Sequence, residues 1–333
     1  MSRIPTTILG KTGLEVSCLG MGGLFLASFA GNFARAQAAV AHAVACGVTL
    51  IDTAPGYYDS EEVIGQILPG IAAPLLVSTK LGGRPQPFEP QSRDHLLRSV
   101  AESLRLLGRS HIDFLLIHEP ERPRQYGWWS EGFYEGTLRG TVLDVLDELK
   151  RDGTIRFAGI GGTTAYEMVR LCDTGLFEVV LTAFNYSLLW REAESTVLPA
   201  AQRNNMGVFL GSPLQQGALA RRYDQEIASG APWLSPPRRA LYQALYKLLD
   251  DWNLPLAEAA MRFPLSHPAI HCILTGARSA VEVEANVAAI EKGPLPAEFL
   301  TQLDAIAATV PFRPFCEPFG LPFGGKYAGP AMA

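Results

Sequence analysis

Eight short apolar runs alternate with helical stretches along this 333-residue chain, and that alternation narrows its fold more than any other feature. The runs are Cys18–Met21, Val48–Asp52, Leu75–Thr79, Phe114–His118, Phe157–Gly161, Val179–Ala183, Val208–Gly211 and Cys272–Thr275. These short apolar runs, ending in small or functional residues, read as strands. Between them lie amphipathic stretches with helical punctuation. Ala34–Cys46 stops at Gly47, and Ser92 is placed to cap a helix running through Leu107 to Gly108. Val142–Arg151 carries Leu143, Leu146 and Leu149 three apart, and further helices are expected at Ala165–Asp173, Glu194–Asn204, Arg238–Trp252, Leu256–Phe263 and Val281–Ile290.

Strand–helix alternation repeated eight times leaves a closed parallel barrel or a doubly wound open sheet. The open sheet that binds dinucleotides wants G-x-G-x-x-G after an early strand. Gly20-Met21-Gly22-Gly23 lacks that spacing. The expected fold is therefore an α/β (β/α)8 TIM barrel, built on about 250 residues plus insertions. Ile8-Leu9, a turn at Gly10–Gly13 and Leu14-Glu15-Val16 predict an N-terminal β-hairpin. Pro311–Ala333, rich in proline and glycine, reads as a long C-terminal loop over the barrel mouth or a partly disordered tail. No linker-like tract divides the chain, so residues 1–333 are expected to form a single barrel domain.

A net charge of −5 without a lysine or arginine cluster offers no nucleic-acid groove and no patch for an anionic membrane. No run approaches the roughly 20 apolar residues of a membrane span. Cys18, Cys46, Cys172, Cys272 and Cys316 are odd in number and far apart, which supports neither a disulfide framework nor a zinc site. The first residues, Met1-Ser2-Arg3-Ile4-Pro5, lack a signal-peptide core, and a cytoplasmic location is expected.

Functional groups of such barrels gather at the C-terminal ends of the strands. Asp52 ends the second run, Lys80 follows the third, His118 ends the fourth, and Tyr57 lies in the loop after Asp52. Each alone has a commoner structural meaning: a solvated lysine, a capping aspartate, a core histidine. Together they match carbonyl/alcohol chemistry, in which an acid protonates the carbonyl oxygen as hydride arrives. A tyrosine titrates near about 10 in water, and a neighbouring ammonium favours its phenolate. Lys80 supplies that charge, Asp52 holds Lys80, and His118 orients the substrate oxygen.

Asp52-Thr53-Ala54-Pro55-Gly56-Tyr57 with Ser60-Glu61 and Gly65 closely resembles the aldo-keto reductase signature. There the catalytic tyrosine lies five residues after the aspartate, which selects Tyr57 over Tyr58. The resemblance continues through residues 9–17, Ser78-Thr79-Lys80, Asp113–His118, Gly153–Gly161, Ser212-Pro213-Leu214 with Gly217, and Gly276–Ser279 with Asn286. It implies a metal-free NAD(P)-linked oxidoreductase. It also implies cofactor contacts from Gly22, Gly161, Gly162, Ser212, Leu214, Gln216, Gly276, Arg278, Glu282 and Asn286. A helix starting near Ala280 would turn amide donors and a positive dipole end toward phosphate. Glu282 favours the 2′-hydroxyl of NAD, whereas Arg278 suits the 2′-phosphate of NADP. The expectation leans to NAD.

Three departures from the family pattern surround the nicotinamide. Gly161-Gly162 stand where most members carry Ser-Asn, Leu181 replaces the usual glutamine, and Gly211 replaces a stacking aromatic. Phe184–Leu189 and the Pro55-Gly56-Tyr57 loop resemble the aldose and galactose 1-dehydrogenase branch, which includes pyridoxal dehydrogenase-like members. That implies a sugar or carbonyl substrate, with a broad NADPH-dependent aldehyde or ketone reductase and a non-catalytic regulatory subunit as alternatives. Trp128 and Trp129, after the fourth run, are the candidate substrate-stacking residues, or else rings that cover the barrel rim or a subunit contact. The sequence does not indicate the oligomeric state.

Overall fold

The computed structural model describes residues 4–230 and 234–311. An antiparallel hairpin, β1 (Thr6–Ile8) and β2 (Glu15–Ser17), pairs Thr6 with Ser17 and Ile8 with Glu15. Eight parallel strands then close a barrel: β3 (Leu19–Gly22), β4 (Leu50–Asp52), β5 (Leu76–Leu81), β6 (Ile112–His118), β7 (Ile155–Gly162), β8 (Val179–Ala183), β9 (Gly207–Gly211) and β10 (Cys272–Thr275). Closure comes from β10 pairing with both β3 and β9. All eight expected runs are strands, and the barrel and hairpin are as the sequence predicts.

Alternation along these strands makes two apolar layers. Leu50, Phe114, Leu116, Val179, Phe209 and Leu274 fill the barrel interior, with Phe114 edge-on to Phe209 at 5.3 Å. Their sequence neighbours, such as Ile51, Leu115, Ile117 and Ile273, face the helices. The hairpin belongs to the inner layer. Leu9 and Val16 are fully buried there, and the amide of Lys11 donates to the Asn205 carbonyl at 2.6 Å. One end of the barrel is thereby plugged, leaving the C-terminal ends of the strands for chemistry.

The surrounding helices are α1 (Phe33–Ala45), α2 (Ser60–Ile67), α3 (Arg93–Leu107), the single turn α4 (Pro123–Tyr126), α5 (Thr141–Arg151), α6 (Ala165–Cys172), α7 (Val197–Arg203), α8 (Asp224–Ser229), α9 (Pro236–Asp251), α10 (Leu256–Arg262), α11 (Ala280–Glu291) and α12 (Ala297–Ala307). The cap expected at Ser92 forms, its hydroxyl accepting from the His95 amide, and left-handed Gly108 closes that helix. Asn32 and Ser279 cap α1 and α11 in the same way. Gly65 is required on α2, because a side chain there would collide with the Leu106 backbone on α3.

Several sequence expectations need correction. Lys80 lies inside β5, which runs on to Leu81, rather than after it. Its ammonium is neutralised in place, so the strand need not end there. The helix expected over Glu194–Asn204 begins only at Val197, since residues 191–196 are used in turns. Helices α2 and α12 have no counterpart among the sequence expectations, although Phe299, Leu303 and Ala307 are buried at four-residue spacing on α12. Cys316 and the loop expected after Pro311 lie outside the described residues. No helix among the described residues is long and apolar enough to cross a membrane.

Candidate active site

Strands β4, β5 and β6 are consecutive neighbours, so residues at their C-terminal ends are brought together by topology alone. Asp52 is the last residue of β4 and is buried. Its Oδ1 accepts from the Ser78 hydroxyl at 2.7 Å and from the Lys80 ammonium, which also donates to the Thr53 carbonyl at 2.9 Å. Lys80 is only 2% exposed, so the pair is withdrawn from water. Burial pulls the Lys80 pKa below the usual lysine value, while the Asp52 carboxylate pushes back.

Tyr57 sits above this pair. Its amide donates to the Ala54 carbonyl at 3.0 Å, and its carbonyl accepts from the Ser60 amide at 3.0 Å, which fixes the loop into the start of α2. The Lys80 Nζ lies 5.9 Å from the Tyr57 ring centroid, and the His118 ring stands nearly perpendicular to Tyr57 at 6.3 Å. Desolvation, reinforced by the Lys80 charge, lowers the His118 pKa to about 3. His118 is therefore a neutral hydrogen-bonding group at ordinary pH. The four residues predicted as catalytic are thus brought together, with Tyr57 half-buried and the other three buried. Ser78, which sequence reasoning does not single out, belongs to the same network.

The signature residues Ser60 and Glu61 turn out to be scaffold. The Ser60 hydroxyl lies 2.8 Å from Thr53 Oγ1 and donates to the Gly23 carbonyl. Glu61 accepts from Thr79 at 2.6 Å and pairs with Arg84.

Trp128 and Trp129, expected either to stack on substrate or to cover the barrel rim, are both buried. Trp128 is 2% exposed and Trp129 is 9% exposed, both inside the apolar core. Trp128 Nε1 donates to the His118 carbonyl at 2.9 Å, and Trp129 Nε1 donates to the Pro120 carbonyl at 2.7 Å. Both indoles thus have their N–H groups spent on backbone and their rings packed in the core. These rings anchor the chain just after β6. The exposed aromatics beside Tyr57 are Tyr58 and Phe29, whose centroids lie 4.7 Å apart, with Phe25 at 6.2 Å from Phe29.

Residues expected to meet a cofactor occupy the same rim. Gly22 ends β3, and a Cβ there would lie 3.4 Å from Thr275 and 3.5 Å from Gly276. Ser212, Gln215 and Gln216 after β9 have positive φ, folding Leu214 and its neighbours into a tight loop. Gly276 is exposed and packs on Phe25. Arg278 and Glu282, expected as rivals, form one ion pair at 2.8 Å, and the Arg278 amide donates to the same carboxylate at 2.7 Å. Partial burial opposes ionisation of Glu282, but the bonds from Arg278 outweigh it and hold its pKa below the usual value. Asn286 follows on α11, half-buried.

At the ring end the glycines have different neighbours. A Cβ at Gly161 would meet Lys80 Cε no closer than 3.5 Å, which leaves a small cradle beside the lysine. A Cβ at Gly162 would overlap the Glu121 carboxylate. Glu121 Oε1 accepts from the amides of Thr163 and Thr164 at 2.7 and 3.0 Å, while Oε2 is buried without a hydrogen-bond partner. Burial pushes the Glu121 pKa up to about 7. Sequence reasoning misses Glu121, and its only signal is the Glu119-Pro120-Glu121-Arg122 string directly after His118.

Comparison with known proteins places the chain in a family. The chain is 30% identical over 335 positions to pyridoxal 4-dehydrogenase of Microbacterium luteolum, covering 89% of this chain and 95% of that one. It is 29% identical over 326 positions to L-galactose dehydrogenase of Arabidopsis thaliana, covering 93% and 96%. An aldo-keto reductase structure from Bacillus halodurans in its holo form superposes with a TM-score of 0.72 at 24% identity, over 93% of this chain and 98% of that one, which bears on the fold alone. The aldo/keto reductase family model matches residues 18–308, and the chain belongs to that family of oxidoreductases.

Proposed function

We propose that this protein is an NAD(P)-dependent dehydrogenase of an aldose or related cyclic hemiacetal, with Tyr57 as general acid and base. The observation that carries the reading is the buried Lys80–Asp52 pair set 5.9 Å from the Tyr57 ring. A positive charge there favours the phenolate over the phenol. In the oxidising direction the Tyr57 oxygen takes the proton of the anomeric hydroxyl, and the same carbon becomes the lactone carbonyl. A bound nicotinamide would supply the hydride acceptor for that carbon. Neutral His118 donates a hydrogen bond to the reacting oxygen and orients it without adding charge. Asp52, held by Ser78, keeps Lys80 in place.

The cradle at Gly161 and the exposed Gly276 loop fit a dinucleotide. Gly22, Gly161, Gly162, Ser212, Leu214, Gln216, Gly276, Arg278, Glu282 and Asn286 would hold it. NAD is favoured over NADP because Arg278 is already committed to Glu282, whose carboxylate accepts from a ribose 2′-hydroxyl and repels a 2′-phosphate. The sugar class is supported by the plant relative, an L-galactose dehydrogenase. Tyr58 and Phe29 replace the buried tryptophans as the aromatic surface for the substrate. Initial rates with NAD and galactose or fucose, set against NADPH and an aryl aldehyde, test this reading. Faster turnover of the aldehyde with NADPH would overturn it.

A further inference from the structure

We propose that His42, Cys46 and Glu284 form a zinc-binding site that joins α1 to α11. His42 lies in the last turn of α1 and Cys46 is its C-cap, four residues on and on the same face. Glu284 comes from α11, 242 positions from His42. His42 Nε2 is 2.8 Å from Glu284 Oε2 and 3.8 Å from Cys46 Sγ, and the three candidate ligand atoms all lie within 4.8 Å of one another.

Zinc binds imidazole, carboxylate and thiolate at about 2.0–2.3 Å in a tetrahedron, which places ligand atoms roughly 3.3–3.8 Å apart. The nitrogen–sulfur spacing already matches. The nitrogen–oxygen pair needs to open by about half an ångström and the sulfur–oxygen pair, within 4.8 Å, to close by up to about 1 Å, which half-exposed Glu284 permits. Thiolate and carboxylate together balance a divalent charge. Thiolate with imidazole selects zinc over magnesium or calcium. The carbonyl end of α1, where Cys46 lies, also favours a cation. Cys46 is buried at the base of the cluster, while His42 and Glu284 reach solvent. An ion enters from outside and keeps a water as its fourth ligand. The paired cysteine motif that usually marks zinc is missing because two ligands come from one helix and the third from a distant one.

The site lies in the helical layer outside the barrel. Its occupancy fastens the second turn of α11, the helix that also carries Glu282 and Asn286. The rival arrangement is a His–Glu bond between two helices beside a packed thiol.

The test uses the full-length, untagged, chelator-stripped protein titrated with cobalt(II) and then zinc. One cobalt per chain is expected, with a near-ultraviolet thiolate-to-metal charge-transfer band that zinc abolishes. Cys316→Ser, which removes a thiol outside the described residues, keeps the band. Cys46→Ser loses it. His42→Gln, at a half-exposed position that leaves the core intact, weakens cobalt binding roughly tenfold or more. Zinc raises the melting temperature of the native chain but not of Glu284→Gln. Absence of the band at stoichiometric cobalt, or its survival in Cys46→Ser, would overturn the site.

Discussion

The carboxylate of Glu121 occupies the space that a side chain on Gly162 would need. The two residues are therefore one structural unit, although Glu121 lies in the loop after β6 and Gly162 ends β7. Glu121 also supplies the acceptor for the Thr163 and Thr164 amides, so the end of β7 is held from that loop. Gly162→Ala is expected to destabilise the protein by about 1–3 kcal/mol through overpacking. Glu121→Ala costs a similar amount by leaving two amides unpaired. The double variant should be more stable than the sum of the two by about 0.5–3 kcal/mol. Urea unfolding of the four proteins measures this, and strict additivity would refute the coupling.

Glu121 and His118 give opposite dependences of stability on pH. A carboxyl raised from 4.5 to about 7 in the folded state contributes stability that is complete below about pH 4.5 and gone above about pH 7. Glu121→Gln removes that fall. A histidine lowered from 6.5 to about 3 contributes stability that is complete above about pH 6.5 and lost as pH drops toward 3. The imidazole of His118 should thus remain neutral in NMR spectra down to about pH 4. A titration of that ring near pH 6.5 would contradict the buried placement beside Lys80.

The strands are legible in the sequence because a parallel barrel buries both faces of each one, which leaves uninterrupted apolar runs such as Phe114-Leu115-Leu116-Ile117. The proposed catalytic positions are legible for the same reason, since Asp52 and His118 interrupt such runs at their ends. Lys80 falls one element too late in that reading, because a charged residue looks like the end of a strand until its partner is known. Glu121 is invisible, as its meaning depends on an empty Cβ position on β7. The burial of Trp128 and Trp129 is not legible, because sequence does not show that their N–H groups reach the carbonyls of His118 and Pro120. Arg278 and Glu282 stand at the four-residue spacing of an ion pair, a signal present in the sequence yet compatible with two competing contacts.

Lys80→Met separates chemistry from stability. Loss of the ammonium should lower turnover by about 10²–10⁴-fold. It also leaves Asp52 buried without its cation, at a cost of about 3–5 kcal/mol. Adding Asp52→Asn should restore much of the stability and none of the turnover. Melting temperature and kcat measured on the same samples check this, and recovery of kcat in the double variant would contradict the role given to Lys80.

Trp128→Phe removes the bond to the His118 carbonyl while keeping an aromatic ring in the core. Its kcat should fall by more than its KM rises, because the loss acts on the position of His118. Tyr58→Ala and Phe29→Ala, both at exposed positions, should raise KM with little change in kcat. The reverse pattern would return the tryptophans to the substrate surface.

The most direct measurement compares Tyr57→Phe and Tyr58→Phe for turnover and for dinucleotide affinity by fluorescence quenching. Tyr57→Phe should lose most of its turnover and keep its affinity for the dinucleotide, while Tyr58→Phe keeps most of both. Near-normal turnover in Tyr57→Phe, or its loss in Tyr58→Phe alone, would contradict the account.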